Sequence, residues 1–80
     1  MDFEAYRPKI FELLMGKAQN NLAREAIIEL KELDVSIKAT NDLTILFQQW
    51  LNKCEFVEKT TFLGKGRIQC IVKNCKGSRI

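Results

Sequence analysis

Histidine is missing from this 80-residue chain. Its absence removes the imidazole base of Ser-His-Asp and Cys-His sites, a common metal ligand and a side chain that titrates near neutral pH. Proline occurs once and glycine four times, so no Pro/Gly-rich linker divides the sequence, and no internal repeat appears. A chain this short buries only about 60–65% of its unfolded surface, which leaves room for one core. One domain over residues 1–75 with a basic tail over 76–80 is therefore expected. No run approaches the roughly 18–20 apolar residues that a membrane helix requires. Met1-Asp2-Phe3-Glu4 is acidic where a secretory leader would be basic and then apolar. The expectation is a soluble cytoplasmic protein with no membrane partner.

Three cysteines, Cys54, Cys70 and Cys75, are present. Three thiols without a histidine do not complete a zinc tetrahedron, and the spacing from Cys70 to Cys75 does not match the usual zinc pairs. Small packed thiols are the expectation, with no metal and no cofactor. At 46% apolar residues the chain is far from the composition of disorder.

Charge is unevenly placed. Residues 1–52 carry six basic and eight acidic side chains, residues 53–80 seven and two. From Lys59 onward there are six bases and no acid.

Apolar spacing predicts a first helix over residues 4–15, with Phe3, Tyr6, Ile10, Leu13 and Leu14 on one stripe, Pro8 in its first turn and Gly16 as its stop. A second helix is predicted over 21–33, capped by Asn20-Asn21, from Leu22, Ala26, Ile27, Leu30 and Leu33. A third is predicted over 41–53, started by Thr40, Asn41 and Asp42. Its apolar side holds Leu43, Leu46, Phe47, Trp50, Leu51 and Cys54. Asn41, Ile45, Gln48, Gln49 and Asn52 lie on the other. The period then changes to two. Residues 55–63 and 67–74 flank Gly64-Lys65-Gly66 and predict a hairpin. With Lys65-Gly66 as a two-residue turn, Leu63 faces Ile68, Thr61 faces Cys70 and Glu58 faces Lys73; a three-residue loop would place Glu58 opposite Val72. The fold class expected is α+β, three helices followed by a C-terminal hairpin (αααββ).

That order resembles the winged helix-turn-helix proteins. The resemblance runs from about Ile10 to Val72. It is carried by Leu30-Lys31-Glu32-Leu33-Asp34-Val35-Ser36 at the turn, Trp50-Leu51-Asn52-Lys53 ending the third helix, and Phe56-Val57-Glu58-Lys59 entering the hairpin. Gly64-Lys65-Gly66-Arg67 would be the wing tip. The link from Val35 to Asn41 is longer than the three- or four-residue turn of a tight helix-turn-helix. The resemblance implies a small DNA-binding protein, of the kind that regulates transcription, meeting duplex through its third helix and hairpin. Asn41, Gln48, Gln49 and Asn52 would present amides to base edges. Thr44 would meet a phosphate, as would Lys59, Lys65 and Arg67, while Lys53 serves either role. Ile45, in the middle of the outer face, would touch a thymine methyl or, as an exposed apolar residue beside amides, form the contact of a homodimer.

A second resemblance competes. Residues 22–75 are similar to the first half of the hydrocarbon-binding domains related to four-vinyl reductase, where helices likewise precede strands. It implies a dimerising interaction module or apolar-ligand module with no nucleic acid. Catalysis is not expected. Gly64-Lys65-Gly66-Arg67 lacks the spacing of a phosphate loop, and the carboxylates are scattered along polar faces.

Overall fold

The predicted hairpin does not stand alone, because residues 25–29 pair antiparallel with its second strand. The computed structural model describes residues 2–19 and 22–73. A 3-10 helix (Phe3–Tyr6) leads into α1 (Arg7–Ala18), followed by β1 (Glu25–Glu29), a second 3-10 helix (Leu30–Glu32), α2 (Asn41–Asn52), β2 (Val57–Gly64) and β3 (Arg67–Val72). The three strands form one antiparallel sheet in the order β1-β3-β2.

The expected αααββ order is therefore corrected: two α-helices and a three-stranded sheet replace three helices and a free hairpin. The segment expected as the second helix is β1 and a 3-10 turn. Its pattern Glu25-Ala26-Ile27-Ile28-Glu29 alternates exposed and buried residues, which suits a strand with one covered face. Two adjacent β-branched isoleucines also lose side-chain freedom in a helix and fit a pleated sheet. Of the expected apolar stripe, Ala26, Leu30 and Leu33 are buried, whereas Leu22 is fully exposed and Ile27 is 46% exposed. The Asn20-Asn21 cap, Cys75 and the tail 76–80 lie outside the described residues.

The other elements need smaller changes. Pro8 lies in the first turn of α1, as expected, but the helix runs past Gly16 to Ala18. Gly16 is exposed with nothing close to it, so it weakens the helix without ending it. The Thr40 side chain caps α2 by accepting from the Leu43 N–H at 3.1 Å. The hairpin turns at Lys65-Gly66, since Gly64 pairs with Arg67. A bulge between Phe62 and Gly64 then takes up one residue, so Phe62 faces Ile68, Thr61 faces Gln69 and Thr60 faces Cys70. The register preferred from sequence is thus displaced by one along the middle of β2. Glu58 falls in a second irregularity, out of the expected register position opposite Lys73, and meets Arg24 at 3.7 Å.

Both helices pack on one face of the sheet. Ile68, Cys70 and Val72 of β3 and Ala26 and Ile28 of β1 meet Ile10 and Leu14 of α1 and Phe47 and Leu51 of α2 in a single core. Phe3 closes one side, its ring 5.0 Å from that of Phe47. The opposite face of the sheet carries Glu25, Ile27, Glu29, Arg67, Gln69, Ile71, Lys59 and Thr61, by the alternation of the paired strands.

Candidate nucleic-acid interface

The exposed side of α2 follows from what the core takes. Thr44, Phe47 and Leu51 are buried, and at about 100° per residue they leave Asn41, Ile45, Gln49, Asn52 and Lys53 exposed, with Gln48 half-buried. The Asn52 amide oxygen accepts from the Thr60 hydroxyl at 2.8 Å, which ties the last turn of α2 to β2. Leu46, expected in the core, is 54% exposed beside Ile45 at 43%.

Thr44 is the main correction among the expected site residues. It is fully buried, its hydroxyl donates to the Thr40 carbonyl and accepts from the Gly66 N–H at 2.7 Å. Both functions of the hydroxyl are used inside the fold, so it does not meet a phosphate. It is a joint instead. Gly66 is also held from the other side, because its carbonyl accepts from the Leu30 N–H at 2.8 Å. A side chain at residue 66 would lie 2.6 Å from the Ala39 Cβ. The tip of the hairpin is thus clamped between α2, Ala39 and the end of β1.

The basic residues divide. Lys65 sits exposed in the turn. Lys59 pairs with Ile71 and Arg67 with Glu29, which puts both on the sheet face away from the helices. The structure does not bring Lys59 and Arg67 onto the same surface as the amides of α2. Lys53 follows α2 at its end. One base was missed from sequence: Lys31, placed by the second 3-10 helix beside the hairpin tip. With Glu29, Ala39, Lys65, Gly66 and Arg67 it lines a niche of about 120 Å³. Nothing in its spacing marked it, because its neighbours read as helical.

A separate apolar depression of about 430 Å³ lies at the open end of the hairpin, lined by Arg7, Pro8, Phe11, Glu55 and Phe56. The Arg7 guanidinium sits 5.5 Å over the Phe56 ring, and Phe11 meets that ring edge-on at 5.2 Å. None of the expected site residues lines it.

Among the described residues no group of three or more Cys, Asp or Glu is placed to hold a metal, and no helix is long and apolar enough to cross a membrane. Cys54 and Cys70 are buried free thiols. Burial pushes the Cys54 thiol upward, and burial with Cys54 nearby pushes Cys70 up to about 12. Neither is a ready nucleophile. No protein-family model matches the chain, nor does any curated protein or solved structure.

Proposed function

We propose that the chain binds duplex nucleic acid through the exposed side of α2 and the tip of the hairpin. The observation that supports this reading most is the Thr44–Gly66 hydrogen bond. It fixes a basic turn against the first turns of a helix whose outer side offers Asn41, Gln48 and Gln49, while Asn52 has its amide oxygen engaged by the Thr60 hydroxyl. Asn and Gln amides suit the paired donor and acceptor of adenine in the major groove, and bases at the periphery supply affinity independent of sequence. Lys53 and Lys65 are the phosphate contacts nearest this surface. Lys59 and Arg67 reach phosphate only where the duplex extends past the edge of the sheet. A regulator of transcription, acting as a homodimer, is the biological form this reading takes.

The test is a salt titration of binding to a mixed-sequence duplex. Contact with about three to five phosphates gives a slope of log K against log salt of roughly −2.7 to −4.5. Absence of duplex binding at low salt overturns the reading.

A second reading, self-association without nucleic acid, is favoured by one observation: Ile45 and Leu46 are exposed side by side in the middle of α2. An aliphatic pair there is worth burying against a second copy. Under this reading Ile45→Lys converts a dimeric mass to a monomeric one and Lys65→Gln changes nothing.

A further inference from the structure

We propose that the niche between the second 3-10 helix and the hairpin tip is a phosphate-binding site, with Lys31, Lys65 and Arg67 as its ligands. One backbone hydrogen bond organises it. The Leu30 N–H donates to the Gly66 carbonyl at 2.8 Å, so the residues on either side of each partner, Glu29 and Lys31 on one strand end and Lys65 and Arg67 on the other, surround the same point. Three of those four side chains are cations. Among the described residues no carboxylate lies within ion-pair distance of Lys31, Lys65 or Arg67.

Glu29 is the one acid in the niche, and it is already engaged. Its carboxylate accepts from the Glu32 N–H, and the Glu32 carboxylate accepts from the Glu29 N–H at 3.0 Å. This reciprocal cap holds the 3-10 turn that carries Lys31. The niche therefore keeps a net charge of +2, and like charges gathered on so small a surface favour an anion between them.

Size and rigidity agree with phosphate. Water occupies about 30 Å³ in the liquid, so a niche of about 120 Å³ holds about four waters or one phosphate group. The wall does not have to be ordered on binding, because Gly66 is fixed through both its N–H and its carbonyl. Arg67 offers a forked pair of donors and the lysines supply point charges. The phosphate can belong to a nucleic-acid backbone or be free. The site stands on the niche and not on the amides of α2, although a backbone phosphate seated here would extend the duplex contact.

The experiment titrates inorganic phosphate into the ¹⁵N-labelled full chain at fixed ionic strength, with chloride as the reference. Saturable shifts centred on the Leu30, Lys31, Gly66 and Arg67 amides are expected, and Lys31→Gln and Arg67→Gln should each weaken binding about two- to fivefold. Shifts no larger than those given by chloride, or affinity unchanged in both variants, overturn the site. A second arm adds a short duplex to the phosphate-saturated protein. Displacement of phosphate with shifts at the same amides assigns the niche to backbone phosphate. Phosphate binding that the duplex neither displaces nor mimics supports the niche as a site for free phosphate and counts against the duplex reading.

Discussion

The Gly66 N–H donates at 2.7 Å to the hydroxyl of Thr44, a residue with no solvent exposure, and so joins the hairpin tip to the first turns of α2. The bond makes a test of how the tip is held. Thr44→Val keeps the shape and removes the acceptor, leaving a buried N–H without a partner, which costs about 1–3 kcal/mol. Thr44→Ser keeps the acceptor and loses one buried methyl, about 0.8 kcal/mol. Urea denaturation should rank Val as the more damaging, and hydrogen exchange at Gly66 should accelerate only in the Val variant. Equal costs for the two would mean that the bond does not hold the tip.

Gly66 itself is constrained twice. Its φ of +76° favours glycine, and a Cβ there would stand 2.6 Å from that of Ala39. Gly66→Ala should lose roughly 1–2 kcal/mol to the left-handed backbone and about 1–3 kcal/mol more to overpacking. Ala39→Gly opens the space without changing the backbone. In a double-mutant cycle it should recover the packing share and leave the conformational one, giving a coupling well above the ~0.5 kcal/mol expected of independent sites.

How much of this was legible in the sequence differs by element. α2 could be found because Thr40 caps it and Phe47 and Leu51 recur at a helical step and are buried, while Cys54, one step further, is buried just past its end. The turn at Lys65-Gly66 was marked by its glycines. β1 was hidden because Ala26, Leu30 and Leu33 fall at helical spacing and are buried in either conformation. Its partner, β3, is some forty residues away, and pairing with β3 decides the matter. The adjacent Ile27 and Ile28 were the local sign. Thr44 reads as a phosphate contact because its hydroxyl is polar, while the partner that satisfies that hydroxyl inside the fold is a backbone N–H 22 positions further on. Lys31 gained its place only when its segment ceased to be helix.

The face of α2 offers the sharpest contrast between sequence and structure. Leu46 was expected inside and Phe47 with it; Leu46 is 54% exposed and Phe47 is fully buried, stacked 6.4 Å from Trp50. Phe47→Ala should cost about 3–5 kcal/mol. Leu46→Gln should stay within ~0.5 kcal/mol of wild type in stability. Thermal or urea unfolding of the two variants measures this directly. A large loss for Leu46→Gln that also lowers the oligomeric mass would place Leu46 in an interface between copies.

Cys70 gives the fold a dependence on alkaline pH. Its thiol has no solvent exposure, and burial, with Cys54 adding to it, raises its pKa from the ordinary 9.0 to about 12. In the unfolded chain the same thiol ionises near its ordinary value. Below that value both states hold the proton and Cys70 contributes no pH dependence. Between about 9 and 12 the unfolded chain has released a proton that the folded one retains, so stability falls as pH rises, by up to about 1.4 kcal/mol per pH unit. The informative quantity is the difference between wild type and Cys70→Ala. Urea midpoints from pH 7 to 10 should run parallel up to about pH 8.5 and converge above it, as only the wild type loses this contribution. A Cys75→Ser background removes the thiol outside the described residues, and in it Cys70 should resist a disulfide-exchange reagent at pH 8 until the chain is unfolded. Parallel curves to pH 10, or rapid labelling of the native protein at Cys70, would show that the thiol is neither buried nor raised.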